Sequence, residues 1–255
     1  MRRLSLSHRL PTMAIPRLIH QLWKTDDVPR RWRAAVESVK RYHGGWEYRL
    51  WTDAAMDEYV RSNCADFYPT FMGFNRHIMR VDVFRYILMR DLGGLYCDLD
   101  YEFLRPFDYG DAEVVLALEF DKAFGSSVDL IANFVLASRP GHPFWRDVLA
   151  ALSADPPVTA RAHDVGTATG PGLLTRVYFT NRERYTGVML APQPVLSPRR
   201  IHGRRERRIF LNNGMTCAFH HGWGSWRERL SASYWRIKLR KVFGRRTPGG
   251  DAPRH

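Results

Sequence analysis

The stretch GGLYCDLD, residues 93–100, decides the fold class of this 255-residue chain. Its apolar centre predicts a strand, and Asp98 and Asp100 end it two residues apart. Residues i and i+2 of a strand point to the same face, so both carboxylates can converge on one ligand. Paired carboxylates in that place are typical of a hard divalent cation that bridges to phosphate oxygens. An ordinary loop or capping pair is the alternative that a lone Asp-x-Asp leaves open.

A helix is predicted directly before this strand. From Asn75 onward, residues of one predicted helix face recur at helical spacing, and Gly93 is typical of the residue that ends a helix. Asp82 and Arg85 are three residues apart and share one helix face. Either they form an ordinary ion pair within the helix, or both point into the crevice that contains Asp98 and Asp100.

Strand-like and helix-like segments alternate along the chain, which predicts an α/β fold with a mainly parallel mixed sheet and ligands at the carboxyl ends of the strands. The predicted strands are Leu18–Trp23, Tyr48–Trp51, Leu95–Leu99, Val114–Leu118 and Leu130–Leu136. The predicted helices are Trp32–Tyr42, Ala54–Ser62, Asn75–Leu92, Trp145–Leu152 and Gly172–Phe179. Residues 154–169 are rich in small residues and proline, which favours a surface or substrate loop.

The composition is that of one globular, enzyme-sized domain. The chain is 45% hydrophobic and 13% aromatic, which excludes a disordered protein. It lacks an apolar run of about 18 residues, so we expect no transmembrane helix, and its basic start lacks the apolar stretch of a signal peptide. Three cysteines without metal-type spacing favour reduced thiols in a cytoplasmic protein.

The formal charge of +13 is concentrated in the last third of the chain. Residues 199–208 hold six arginines against one glutamate, and residues 227–246 hold eight basic residues against one. This asymmetry indicates an anionic partner. Aromatic and basic residues from Trp226 onward predict an amphipathic helix. This helix lies either on an anionic membrane surface or on the domain itself. The membrane alternative would place the protein at the inner face of the cell membrane. Nucleic acid is not expected, because no recognition motif accompanies the charge.

Four motifs, in order, resemble glycosyltransferase family 32, which includes yeast-type mannosyltransferases and bacterial polysaccharide enzymes. The longest runs from Arg80 through the Asp-x-Asp stretch. The others are IPRLIHQLWKT at residues 15–25, Thr-Gly-Pro at 169–171 and HHGWGSW at 220–226. The resemblance implies a GT-A type, Rossmann-like nucleotide-diphospho-sugar transferase domain over residues 15–226. It would follow a basic extension at residues 1–14 and precede a basic amphipathic helix and frayed tail at residues 227–255.

The resemblance also implies residue roles. Asp100 is the expected direct ligand of Mn²⁺ or Mg²⁺, and Asp98 contacts the ribose and sugar hydroxyls or shares the metal. Asp82 and Arg85 would hold the donor sugar. The remaining donor-site candidates are Trp23, for stacking on the base, Tyr96, for a base or ribose contact, and the lid residues Ser225 and Trp226. Core packing is the alternative for Trp23 and Tyr96. His221 is the expected third metal ligand or diphosphate contact, ahead of His220, and a buried histidine–aromatic cluster is the alternative.

The expected activity is transfer of a hexosyl group from GDP-mannose or a UDP-hexose to a glycan or glycolipid hydroxyl, with retention, in surface polysaccharide or glycolipid synthesis. The acceptor side has only weak candidates: Glu119, Asp121, Asn133 and His163. The basic run at residues 199–208 departs from the family pattern, and its role stays open. The alternative function is a non-catalytic carbohydrate- or lipid-binding protein at the membrane surface, with a degenerate transferase site.

Overall fold

The Asp-x-Asp stretch follows a central strand of a six-stranded mixed sheet in a computed structural model, which describes residues 14–161, 164–200 and 205–223. The order of strands across the sheet is β2-β1-β3-β6-β5-β7. The strands are β1 (Leu18–Leu22), β2 (Glu47–Trp51), β3 (Gly94–Cys97), β4 (Tyr101–Phe103), β5 (Val114–Phe120), β6 (Leu130–Ser138), β7 (Val188–Ala191) and β8 (Ala218–His220).

Most neighbouring strands of this sheet run parallel, which confirms the predicted α/β fold. The pairs β1–β2, β1–β3 and β5–β7 are parallel. Only β6 runs against its neighbours β3 and β5. One edge of the sheet, called the carboxyl edge below, therefore carries the ends of β1, β2, β3, β5 and β7 together with the beginning of β6.

A second, two-stranded sheet closes the Asp-x-Asp region. Strand β4 begins immediately after Asp100 and pairs antiparallel with β8, with Tyr101 opposite His220. This pairing brings residues far apart in the chain to the same place. It is the reason why a histidine late in the sequence lies beside the two aspartates.

Nine helices surround the sheets in the described part of the chain. The predicted helices and strands are present with slightly shifted ends, whereas α3, α6, α8, α9, β4, β7 and β8 were not predicted, and α6 lies within the stretch 154–169 that was predicted to be a loop. The helices are α1 (Arg33–Tyr42), α2 (Asp53–Asn63), α3 (Tyr68–Gly73), α4 (His77–Asp91), α5 (Pro143–Ala154), α6 (Val165–Ala168), α7 (Pro171–Asn181), α8 (Gln193–Leu196) and α9 (Glu206–Asn212).

Helix α4 carries Asp82 and Arg85 and is buried on most sides. Phe84, Tyr86 and Ile87 are inaccessible to solvent in the main core. At the end of the helix, Gly94 has a φ of +88°, and a Cβ there would lie 2.3 Å from the carbonyl oxygen of Leu18. Only glycine can make this tight passage from α4 into β3.

The predicted basic extension and the predicted tail helix at residues 227–255 lie outside the described residues, apart from Ala14. Within the described ranges, no helix has both the length and the apolar character that crossing a bilayer requires.

Candidate active site

Asp98 and Asp100 lie in a tight turn after β3, whereas the predicted strand continued to Leu99 and included Asp98. The strand ends at Cys97, and the turn is closed by a hydrogen bond from the Tyr101 amide to the Asp98 carbonyl (3.0 Å). The Asp98 amide donates to the carbonyl of Phe134 on β6 (2.9 Å). Gln21 of β1 donates to the Asp98 carbonyl (3.2 Å). The turn is thus held by both neighbouring strands at the carboxyl edge.

The Asp98 carboxylate is held in place by Tyr96 and Arg85. The Tyr96 hydroxyl donates to its Oδ1 at 2.6 Å, and Nη2 of Arg85 lies 3.2 Å from the same oxygen. The other oxygen, Oδ2, lies 3.7 Å from Nε2 of His220. One oxygen of Asp98 is therefore bound by protein groups, while the other faces the histidine.

His220 completes a three-residue cluster with the aspartates. Its Nε2 lies 3.0 Å from Oδ1 of Asp100, and its ring stacks on Phe134 with centroids 4.3 Å apart. Burial acts to lower the pKa of His220, but the hydrogen bond and negative charge of Asp100 outweigh it and raise that pKa. One ligand atom each from Asp98, Asp100 and His220 lies within 4.8 Å of the other two. Two carboxylates and an imidazole at this spacing fit a divalent cation such as Mn²⁺.

The structure reverses the expected order of the two histidines. His221 points away from the aspartates, and its Nε2 lies 3.0 Å from Oε2 of Glu102. Burial acts to raise the pKa of Glu102, but hydrogen bonds from His221 and Arg207 outweigh it and hold that pKa below its usual value. Adjacent residues of an extended chain point to opposite sides, so only one histidine can face Asp100.

A buried polar layer lies beneath the cluster. Asp82 accepts hydrogen bonds from Asn133 Nδ2 (3.0 Å) and from the Thr169 hydroxyl (2.9 Å), and it lies 3.4 Å from Nη1 of Arg85. Burial raises the pKa of Asp82 to about 6, against the opposing charge of Arg85. Asn133 and Thr169 therefore hold Asp82 in position beside Arg85, a role that the sequence did not reveal.

Arg85 connects this layer with Asp98. Its Nη1 donates to the carbonyl of Asn133 (2.9 Å), and its guanidinium lies 5.0 Å from the centre of the Tyr96 ring. Burial acts to lower the pKa of Arg85, but Asp98 and other neighbouring groups raise it above its usual value. Its buried Nε has no hydrogen-bond partner in the described protein. Such an orphaned donor fits a hydroxyl or phosphate oxygen of a bound ligand.

The other donor-site candidates differ in accessibility. Trp23 follows β1 at the carboxyl edge, is half-buried and packs edge-on against Trp32 with centroids 4.2 Å apart. Tyr96 is a core residue whose hydroxyl alone reaches Asp98. Ser225 and Trp226, the expected lid residues, lie outside the described residues.

Three of the four acceptor candidates lie within the described residues. Asp121 is buried and accepts hydrogen bonds from the amides of Ala123 and Gln193, so it has a structural role in the turn after β5. The Asn133 side chain donates to Asp82. Glu119 is half-buried on β5, and its charge contributes to the raised pKa of His220. His163 lies outside the described residues.

A family model described as "Glycosyltransferase sugar-binding region containing DXD motif" matches residues 29–116 of the chain, a range that includes Asp98 and Asp100. The chain is 34% identical over 142 residues to "Inositol phosphoceramide mannosyltransferase 1" of Schizosaccharomyces pombe, covering 54% of this chain and 43% of that relative. It is 22% identical over 234 residues to "Initiation-specific alpha-1,6-mannosyltransferase" of Candida albicans, covering 75% of this chain and 59% of that relative. These findings confirm the resemblance to family 32.

A solved structure titled "PaToxG Glycosyltransferase" is also similar, with a TM-score of 0.45 and 13% identity over 66% of this chain and 70% of that one. The matched regions cover less than two thirds of both mannosyltransferases.

Proposed function

We propose that this protein is a metal-dependent glycosyltransferase that moves a hexosyl group from a nucleotide sugar to a hydroxyl of a glycan or glycolipid. The observation that carries the proposal is the Asp98–Asp100–His220 cluster, set above the buried Asp82–Arg85 pair within a DXD sugar-binding region. Among donors, a mannosyl nucleotide is favoured, because the relatives are named mannosyltransferases. A lipid-linked acceptor is favoured because the Schizosaccharomyces pombe relative is named an inositol phosphoceramide mannosyltransferase.

The proposed metal ligands are Asp98, Asp100 and His220, with His220 replacing His221 in that role. When bound, Mn²⁺ or Mg²⁺ would stabilise the negative charge of the leaving diphosphate. The Tyr96 hydroxyl and Arg85 hold Asp98 in position for this purpose. The half-buried Trp23 offers a ring face for the base at the same edge of the sheet.

Arg85 and Asp82 have a preorganising role in this proposal. Both are buried, so their orientation is set before a donor binds. The orphaned Nε of Arg85 is the group we assign to a donor oxygen. Preorganised charges in a dry site stabilise developing charge without reorganisation cost during the reaction.

The reaction is proposed to retain the anomeric configuration. The acceptor oxygen forms a bond to the anomeric carbon on the face from which the diphosphate departs. The bond between that carbon and the phosphate oxygen breaks, and the hydroxyl proton passes to the departing phosphate. No protein nucleophile is assigned.

Membrane association is a further part of the proposal. The basic residues at 227–246 would attract an anionic lipid surface, where a lipid-linked acceptor would lie. This would place the protein in the cytoplasm, at the inner face of the cell membrane.

The test is nucleotide release from a panel of GDP- and UDP-sugars, with Mn²⁺ and with chelator. Wild type is compared with Asp100→Asn and with Asp111→Asn, which removes an exposed carboxylate away from the cluster. We expect Mn²⁺-dependent release from one donor, lost in Asp100→Asn and retained in Asp111→Asn. Absence of both release and donor binding across the panel would favour a carbohydrate- or lipid-binding protein with a degenerate site.

A further inference from the structure

The basic run at residues 199–208 contains two arginines that turn toward the protein. Nη1 of Arg200 donates to the backbone carbonyl of His220 at 3.0 Å and also to that of His221. Nε of the same guanidinium lies 2.8 Å from Oε1 of Glu206, which is itself buried. The side chain of Arg200 thus links α9 to the end of β8.

The place of this link matters because β8 ends at the histidine of the metal cluster. On its other side, the His221 amide donates to the Asp100 carbonyl at 2.9 Å. The end of β8 is therefore held between the Asp-x-Asp turn and the guanidinium of Arg200. A planar guanidinium suits this task, since its fixed donors can serve two carbonyls and a carboxylate together.

Arg207 acts on the same segment through a side chain. Its Nε lies 2.5 Å from Oε1 of Glu102, and the other oxygen of Glu102 lies 3.0 Å from Nε2 of His221. Arg200 holds the backbone of the two histidines, while Arg207 and Glu102 hold the His221 ring. Arg199 and Arg208, next to these arginines in the chain, have exposed side chains.

We propose that Arg200 and Arg207 are positioning residues that hold the end of β8, so that His220 faces Asp98 and Asp100 and the metal site is preformed. This inference rests on the proposed function for the identity of the metal. It gives part of the basic run a role inside the protein, separate from binding an anionic partner. Residues that orient metal ligands commonly affect affinity although they do not touch the ion.

The test is direct Mn²⁺ binding by the full chain, measured from the electron paramagnetic resonance signal of free Mn²⁺. We expect Arg200→Met to weaken Mn²⁺ binding about 10- to 100-fold. Arg200→Lys should recover part of the affinity because it still donates to a carbonyl. Arg199→Met, with the same loss of charge in the neighbouring residue, should bind as wild type.

A second pair of variants covers the case in which Arg200→Met does not fold. Arg207 is half-exposed, so its contribution is smaller, and Arg207→Met should weaken Mn²⁺ binding about two- to fivefold. Arg208→Met is the matched control and should not change it. Saturating Mn²⁺ should restore the rate of nucleotide release in Arg200→Met and Arg207→Met, which a general structural defect would not allow.

The results separate this inference from the proposed function. Wild-type affinity in folded Arg200→Met, or in Arg207→Met if the former is unfolded, overturns the positioning role while leaving the metal site intact. Absence of Mn²⁺ binding in wild type itself overturns both the metal site and the positioning role. Weakened binding in both arginine variants, with unchanged controls, supports the inference.

Discussion

Thr169→Val tests the buried layer with little change in shape. The substitution removes the hydroxyl that donates to Oδ2 of Asp82 at 2.9 Å and leaves that oxygen in a site closed to solvent. A hydrogen bond to a charged group contributes about 1.5–3 kcal/mol, against about 0.5–1.5 kcal/mol for a neutral one. We therefore expect a loss of about 2 kcal/mol in the free energy of unfolding when Asp82 is ionised, and about 1 kcal/mol when it is protonated.

The pH dependence of this loss follows from the pKa of Asp82. Burial raises that pKa from 3.8 to about 6, so the folded state binds the proton more tightly than the unfolded state does. The contribution of Asp82 to stability is therefore greatest at low pH, and it falls by about 3 kcal/mol as the pH rises from 4 to beyond 6. The Thr169 hydroxyl reduces this penalty on the ionised form.

The assay is urea unfolding of wild type and Thr169→Val at pH 5 and at pH 8. Thr167→Val is the matched control because Thr167 is exposed on α6, the short helix that Thr169 directly follows. The control should be close to wild type at both pH values. An equal loss for Thr169→Val at the two pH values, or a larger loss at pH 5, would refute the idea that the hydroxyl stabilises an ionised Asp82.

Two further predictions concern β1 and its neighbours. Gly94→Ala should reduce the free energy of unfolding by more than about 3 kcal/mol, because its Cβ would clash with the Leu18 carbonyl. The control is Gly125→Ala, which has a similar φ of +87° but open space around the new Cβ, and it should lose only about 1–2 kcal/mol. Equal losses for the two variants in urea unfolding would contradict the clash. Burial lowers the pKa of His20 to about 4, so its neutral ring contributes stability above pH 6.5 that is lost as the pH falls toward 4. The difference in unfolding free energy between wild type and His20→Gln should therefore shrink by about 3 kcal/mol from pH 7 to pH 4, and a constant difference would contradict this assignment.

The elements near the Asp-x-Asp stretch were predictable because their patterns are long and periodic. Helix α4 and strands β5 and β6 lie where the apolar spacing placed them, within a few residues. Strand β3 has only four residues and was predicted from the glycines before it and the aspartates after it. In contrast, β7 consists of four residues, and α9 lies in an arginine-rich run without an apolar stripe. Segments this short carry too little periodicity to distinguish a strand from a loop.

The order of the two histidine candidates, with His221 ranked ahead of His220, did not anticipate the observed cluster for a different reason. His220 and His221 are adjacent, and a sequence does not tell which face of an extended segment meets the aspartates. The decision comes from the pairing of β8 with β4, which aligns His220 with Tyr101. Similarly, Thr169 and Asn133 reach Asp82 from elements 87 and 51 residues away, and no local pattern reports such contacts.

The pairing of β4 with β8 also has a consequence for the timing of biosynthesis. Asp100 and His220 are 120 residues apart in the chain. At translation rates of about 5–20 residues per second, the ribosome exposes the aspartates roughly 6–24 s before it delivers the histidine. During that interval the nascent polypeptide holds only two of the three proposed ligands, so we expect any metal binding at this cluster to follow the completion of most of the chain.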